Sequence, residues 1–213
     1  FLTHTHDDHS QMVQAAAAHF KCPVYTTTEY EDVVENPGRY LMPGLTENAV
    51  PNVKGMKDGE TMKWHEYEFT FRYFPGQMIY HGALLVERPK AKPVFFIGDS
   101  FAPSGIDDYC LLNRNLVHPD AGYPLCFKII RQLPKDTWLI NQHVPHVFRF
   151  SDKELTYLET QYAKRTKILR ELFPWDDPNY GIDERWSTFY PYGNIMKPGE
   201  IREVEVRVIN HSP

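Results

Sequence analysis

The stretch "HTHDDH", His4 to His9, sets three imidazoles and two carboxylates in six consecutive positions. Imidazole nitrogens and carboxylate oxygens are the preferred ligands of zinc and of related first-row metals. A polar surface turn has no need of so many histidines, so the run reads as a metal site. On a tight turn after a strand, His4, His6, Asp8 and His9 can all point into one space, and the elements around them must supply that turn.

They do so in outline. "SQMVQAAAAHF" carries Met12, Val13, Ala16, Ala17 and Phe20 at helical spacing, with Ser10 as candidate N-cap and Pro23 just beyond the end. "PVYTTT" then predicts a strand, and "EYEDVVEN" a helix stopped by Pro37 and Gly38. This alternation suggests a layered α/β domain. "YEFTFRYF", "GALLVER" and "PVFFIGD" predict three strands, "YPLCFKIIRQL" a helix and "TWLIN" another strand. "SDKELTYLETQYAKRTKILRELF" predicts a long helix, opened by a Ser151/Glu154 capping box and stopped by Pro174. In "EIREVEVRVIN", Val204, Val206 and Val208 alternate with charged residues, which predicts a half-buried strand. That strand either opens a further β-sandwich module or pairs with the main sheet.

Two more ligand-type residues fall at strand ends. Asp99 follows "VFFIG", where Gly98 lets the backbone turn tightly, and His143 follows "WLIN". Each alone is explained as a strand-end cap or a rim histidine.

Together they carry a resemblance. His4-x-His6-x-Asp8-His9 resembles the HxHxDH signature of the metallo-β-lactamase superfamily, and three later segments come in that family's order. "FPGQMIYHG" is similar to its PGH-type loop, "FFIGDSF" to its strand ending in a metal-bridging aspartate, and "LINQHVP" to its final strand-end histidine. The ordered set runs from Phe1 to about Phe150. It implies a metallo-β-lactamase-like αββα four-layer sandwich of the α/β class, with an often dinuclear metal site at one edge of two facing sheets. In the family several strands precede the HxHxDH turn, and they are lacking here. Residues 1–174 are therefore expected to form the C-terminal portion of that fold, and 175–213 an aromatic, Pro-rich linker and β-strand.

Carried over by position, the resemblance implies His4 and His6 on a first metal, Asp8, His9 and His143 on a second, and Asp99 between them. The departure is Gln77, which stands where the family has its third histidine. An amide oxygen is a neutral and weaker zinc ligand than imidazole, and His81, four residues on, is the candidate replacement. The expected ligands are thus His4, His6, Asp8, His9, His81, Asp99 and His143, holding two Zn2+, with iron or manganese as alternatives.

The implied activity is that of a metallohydrolase using a metal-activated hydroxide on a small ester, lactone, thioester or phosphoester. Asp8 is the expected catalytic residue, orienting that hydroxide while ligating metal. Two other readings stand beside it: a mononuclear iron redox enzyme on the same fold, and a degenerate, non-catalytic binding module of a larger protein. A net charge of -5 and the lack of basic runs between the motifs argue against a nucleic-acid partner. No apolar run approaches the roughly 20 residues of a membrane span, which argues against a membrane-spanning chain, and the implied activity makes a small-molecule substrate the expected partner. Cys22, Cys110 and Cys126 form no CxxC pair and predict no cysteine metal site. The chain opens with Phe1 and its N-terminus reads as cut, so compartment and oligomeric state do not follow from it.

Overall fold

Alternation of side chains along the strands between Thr61 and Phe96 builds most of one six-stranded sheet, to which two later strands add. The computed structural model describes residues 1–39, 48–106, 122–143, 146–172, 187–190, 199, 201 and 205–208. In chain order the strands are β1 (Tyr25–Thr27), β2 (Lys54–Met56), β3 (Thr61–Trp64), β4 (Tyr67–Tyr73), β5 (Gly82–Glu87), β6 (Val94–Phe96), β7 (Phe101–Ala102), β8 (Gly105–Ile106), β9 (Trp138–Ile140), β10 (Val147–Phe148), β11 (Ser187–Tyr190) and β12 (Glu205–Val208). The helices are α1 (Asp7–Ser10), α2 (Val13–Phe20), α3 (Glu31–Glu35), α4 (Tyr123–Gln132) and α5 (Asp152–Leu172), with 3-10 turns at Thr28–Tyr30 and Pro37–Arg39.

The large sheet has the order β10-β9-β6-β5-β4-β3. Its neighbours are antiparallel except β6 and β9, which run parallel with Phe95 opposite Leu139. A parallel pair needs a crossover, and α4 lies on the chain between these two strands. Leu85, Phe95 and Leu139, in one row across the sheet, point into a core that also holds Phe74, Ile97 and Phe101. Helix α4 closes it with Tyr123, Cys126, Phe127 and Ile130, recurring at three- and four-residue intervals along one face. Helix α5 adds Leu155 and Tyr162, and Arg131 of α4 grips Glu159 of α5 through Nε (2.8 Å) and Nη2 (2.7 Å). The predicted capping box is formed at its start, where Ser151 N donates to Glu154 Oε2 at 2.7 Å and Glu154 N to Ser151 Oγ at 3.3 Å.

A second, smaller core of Leu2, Tyr30, Val33, Val34, Val50 and Val53 sits under the parallel pair β1-β2. Two sequence expectations change in detail. The helix predicted from Ser10 onward is split into α1 and α2, because Ser10 is buried and its hydroxyl donates to Thr5 O (3.1 Å) and His6 O (2.7 Å) instead of capping α2. Helix α2 buries none of its residues, and Met12 and Phe20 are exposed. The strand predicted at Val204–Val208 is β12, which pairs antiparallel with β11 in a two-stranded sheet rather than with the large one. Cys110 and most of 175–213 lie outside the described residues. No described helix is long and apolar enough to cross a membrane.

Candidate metal centre

The opening residues run extended between two sheets. Leu2 N donates to Tyr25 O of β1 at 2.9 Å, Gly82 N of β5 donates to Thr3 O at 2.6 Å, and His4 forms an antiparallel bridge with His81. The buried Tyr30 hydroxyl, itself donating to Thr3 O at 2.9 Å, ties the same segment down from below. In extended backbone, residues two apart share a side, so His4 and His6 face the same way. The chain then turns into α1, with Ser10 N donating to His6 O at 2.9 Å, and that turn brings Asp8 and His9 back over the two histidines.

From the opposite side come the ends of β6 and β9. Because these strands are parallel neighbours, their carboxyl ends lie side by side, and Asp99 and His143 each stand three residues past one of them. The turn after β6 depends on Gly98, whose φ of 51° is left-handed. A Cβ there would also lie 2.5 Å from His81 Nε2. The turn after β9 is held by buried Asn141, whose Oδ1 accepts from His143 N while its Nδ2 donates to Phe101 O.

These placements converge on one oxygen. Asp99 Oδ2 lies 3.1 Å from His9 Nε2, 3.0 Å from His143 Nε2 and 3.7 Å from His4 Nε2. His4 Nε2 is 3.1 Å from His6 Nδ1, and Asp8 Oδ2 is 3.3 Å from His9 Nε2 and 3.5 Å from His143 Nε2. Two groups of donor atoms result, each within 4.8 Å: His4, His6 and Asp99, and Asp8, His9, Asp99 and His143. The first lies at the floor, with His4 wholly buried. The second opens outward, with the Asp8 and His143 side chains 53% and 61% exposed.

The protonation states suit a cation. Burial, and then the crowding of His81, His9, His6 and His143, hold His4 well below the ordinary imidazole range. Burial alone would raise Asp99, but the hydrogen bond from His9 and the nearby His9, His143 and His81 outweigh it and lower the carboxyl. Neutral imidazole and ionised carboxylate are the forms that bind metal. Asp99 Oδ1, moreover, is buried with no hydrogen-bond partner among the described residues, an arrangement that costs about 1–3 kcal/mol unless a ligand takes it up. The donor set therefore fits one or two divalent metals.

Of the seven residues expected from sequence, six meet here and His81 does not. It is fully buried behind His4, its ring stacked at 4.6 Å and 21°, and its Nε2 lies 3.3 Å from Ser100 Oγ against Gly98. The bridge to His4 fixes the ring in the layer beneath the donor atoms, which keeps it out of both groups. Gln77 does reach the centre, with Nε2 3.4 Å from Asp99 Oδ2. It is brought there by Gly76, where a Cβ would lie 2.5 Å from Ser100 Oγ, and by Gln77 N donating to that hydroxyl at 3.3 Å. Ser100 and Asn141 were not among the residues expected from sequence. Their one local signal was position, immediately after Asp99 and two residues before His143, since small polar residues at such places often bond neighbouring backbone.

No family model matches the chain, and no curated protein is similar to it. Solved structures are. Over 80% of this chain and 70% of that one, the metallo-β-lactamase MIM-1 from Novosphingobium pentaromativorans superposes with a TM-score of 0.57 at 17% identity. The metallo-β-lactamase GOB-18 from Elizabethkingia meningoseptica does so with 0.53 at 19% identity, over 78% of this chain and 70% of that one. A B3 metallo-β-lactamase described as the first with an active-site glutamic acid gives 0.53 at 20% identity over 80% of this chain, which spans 66% of its length. At these identities the likeness is one of fold.

Proposed function

We propose that this chain, whose fold is that of the metallo-β-lactamases, is a metal-dependent hydrolase of a small ester, lactone, thioester or phosphoester. The observation that carries the reading is the Asp99 carboxylate, with one oxygen shared by two histidine groups and the other buried without a hydrogen-bond partner among the described residues. His4, His6 and Asp99 would hold one metal, and Asp8, His9, His143 and Asp99 a second. Zinc bound there supplies Lewis-acid polarisation of a carbonyl or phosphoryl oxygen and lowers the pKa of water to near neutrality.

The chain's own residues do the rest. Asp8 is the exposed carboxylate of the centre and stands beside His9 and His143 at its open side, where it would accept a hydrogen bond from the attacking hydroxide and orient it. Asp99, at the floor, keeps the histidines turned inward. Substrate enters over Asp8 and His143, since His4 is closed off beneath them.

Elemental analysis of the purified protein, followed by a screen of esters, lactones, thioesters, phosphodiesters and β-lactams, tests this. About two zinc atoms per chain and turnover of one substrate class are expected. One iron atom per chain would replace hydrolysis with redox chemistry. No metal after refolding with added zinc would leave a binding module.

A further inference from the structure

One buried polar side chain has no part in the proposed hydrolysis. His81 is fully buried, yet its Nδ1 has no hydrogen-bond partner among the described residues. An unsatisfied buried nitrogen costs stability that an apolar side chain of similar volume would not lose. The buried Phe74 ring beside it, 6.4 Å away, would suit such a side chain as well. Packing alone therefore favours another residue at this position, and the imidazole gains something else from its surroundings. One ring face lies flat on His4, 4.6 Å away at 21°, and the antiparallel bridge between the two residues keeps both in register. Thr3 Oγ1, 3.2 Å from His4 Nδ1, holds the His4 ring by its edge, which leaves its tilt to be set by the flat face of His81. At the far edge, His81 Nε2 lies 3.3 Å from Ser100 Oγ, which accepts from Gln77 N at 3.3 Å and still has its own proton to donate. Ser100 is fully buried, follows Asp99 directly, and sits so close under Gly76 that a Cβ there would lie 2.5 Å from its Oγ. The Gly98 turn is equally close, with a Cβ there 2.5 Å from His81 Nε2.

We propose that His81 is a positioning residue: its ring sets the plane of His4 and, through the Ser100 hydroxyl, ties that plane to the turn carrying Asp99 and to the Pro75-Gln77 loop. The proposal rests on the reading of this centre as a metal site, and it makes neither His81 nor Ser100 a ligand. Segments from distant parts of the chain keep their relative places because one ring touches His4 on its face, and Gly98 and Ser100 at its edge. Donors already held in place lose less freedom when they close on a cation, so the cost of burying an imidazole here is offset by a better-ordered centre.

The test uses the full chain, stripped with a chelator, and the variants His81→Leu and Ser100→Ala. Leucine fills nearly the volume of histidine but has neither a flat face nor a ring nitrogen, and alanine at position 100 removes one hydroxyl. Melting of the metal-free proteins reads packing, and competition with a chromophoric chelator for Zn2+ reads positioning. His81→Leu should melt no lower than the native chain, and each variant should hold Zn2+ about tenfold less tightly, as when partners that orient metal ligands are removed. Because both act through one contact, the double variant should lose little more than the larger single loss, rather than the product of the two. With Co2+ in place of Zn2+, the visible bands of both variants should differ from those of the native chain, a sign of altered ligand geometry. Unchanged Zn2+ affinity in either variant would reduce His81 to a packing residue and overturn the inference. A loss of affinity matched by an equal loss of metal-free stability in both variants would do the same. Should His81→Leu fail to fold, Ser100→Ala decides the question alone. A native chain that binds no Zn2+ would overturn the metal reading itself, and the inference with it.

Discussion

At the residue scale the centre depends on side chains kept in forms that water would not favour. His81 is the clearest case, since burial outweighs the attraction of Asp99 and lowers its pKa from the ordinary 6.5 to about 3. Above 6.5 the ring is neutral in both folded and unfolded chains and contributes no pH dependence. Between 6.5 and about 3 the unfolded chain takes up a proton that the folded chain refuses, so stability falls as pH falls through this window. His4 is shifted the same way, and Asp99, held below the ordinary carboxylate value of 3.8, loses its stabilising contribution at still lower pH. The metal-free protein should therefore lose thermal stability between pH 6.5 and about 4.5, by about 1.4 kcal/mol per pH unit for each such histidine once below its unfolded pKa. Melting curves across that range check this, and a flat profile would show that the histidines are not held neutral. Asp8→Asn probes chemistry instead: kcat on an identified substrate should fall about 10²-fold or more with little change in Tm, because the carboxylate is exposed and its loss leaves packing unchanged. Full activity in this variant would remove Asp8 from its assigned role.

At the scale of elements, the decisive device is the pair of turns after β6 and β9. Gly98→Ala places a Cβ at left-handed φ and 2.5 Å from His81 Nε2, and should cost about 1–3 kcal/mol in denaturant unfolding together with looser metal binding. A variant as stable as the parent would mean that this turn can relax. Asn141→Ala removes the side chain that joins Phe101 O to His143 N and leaves a buried carbonyl without its donor. Its expected signature is a loss of about 10- to 100-fold in Zn2+ affinity, as when partners that orient metal ligands are removed. Unchanged affinity would show that His143 holds its place without that support.

At the scale of the molecule, a centre assembled from the chain's first residues, the ends of β6 and β9 and the Pro75-Gln77 loop is a cross-link between distant segments. A metal held there would bind the folded chain, where these segments meet, and hardly the unfolded one, so it would stabilise by mass action. Removal of metal by a chelator should lower Tm, and restoring it at about a hundred times Kd should return about 2.7 kcal/mol. Calorimetry of the stripped and reconstituted forms reads this directly, and identical curves would show that metal does not bind the folded chain in preference to the unfolded one.

Local chemistry made much of this legible from residues alone. The HxHxDH run, Asp99 and His143 stood out as candidate ligands because such side chains gathered on a turn or at the ends of apolar strands have few structural uses, and their donor atoms do converge; the ordered resemblance pointed to a fold that the solved structures share. The α5 capping box was readable because it is made within four residues. Gln77 and His81 are another matter. Both come after the same Pro-Gly turn, and imidazole is the better ligand, so spacing and chemistry favoured His81. Where the two side chains lie is set by a pairing of distant segments, His4 with His81, which stacks the His81 ring on that of His4, while Ser100 Oγ, from a different strand end, accepts from Gln77 N. Asn141 was hidden for the same reason, since one of its two partners, Phe101, lies 40 positions away. Residue types along the chain determine which groups can bind metal; which of them face it is decided by strand pairing and by contacts between segments that only the folded chain brings together.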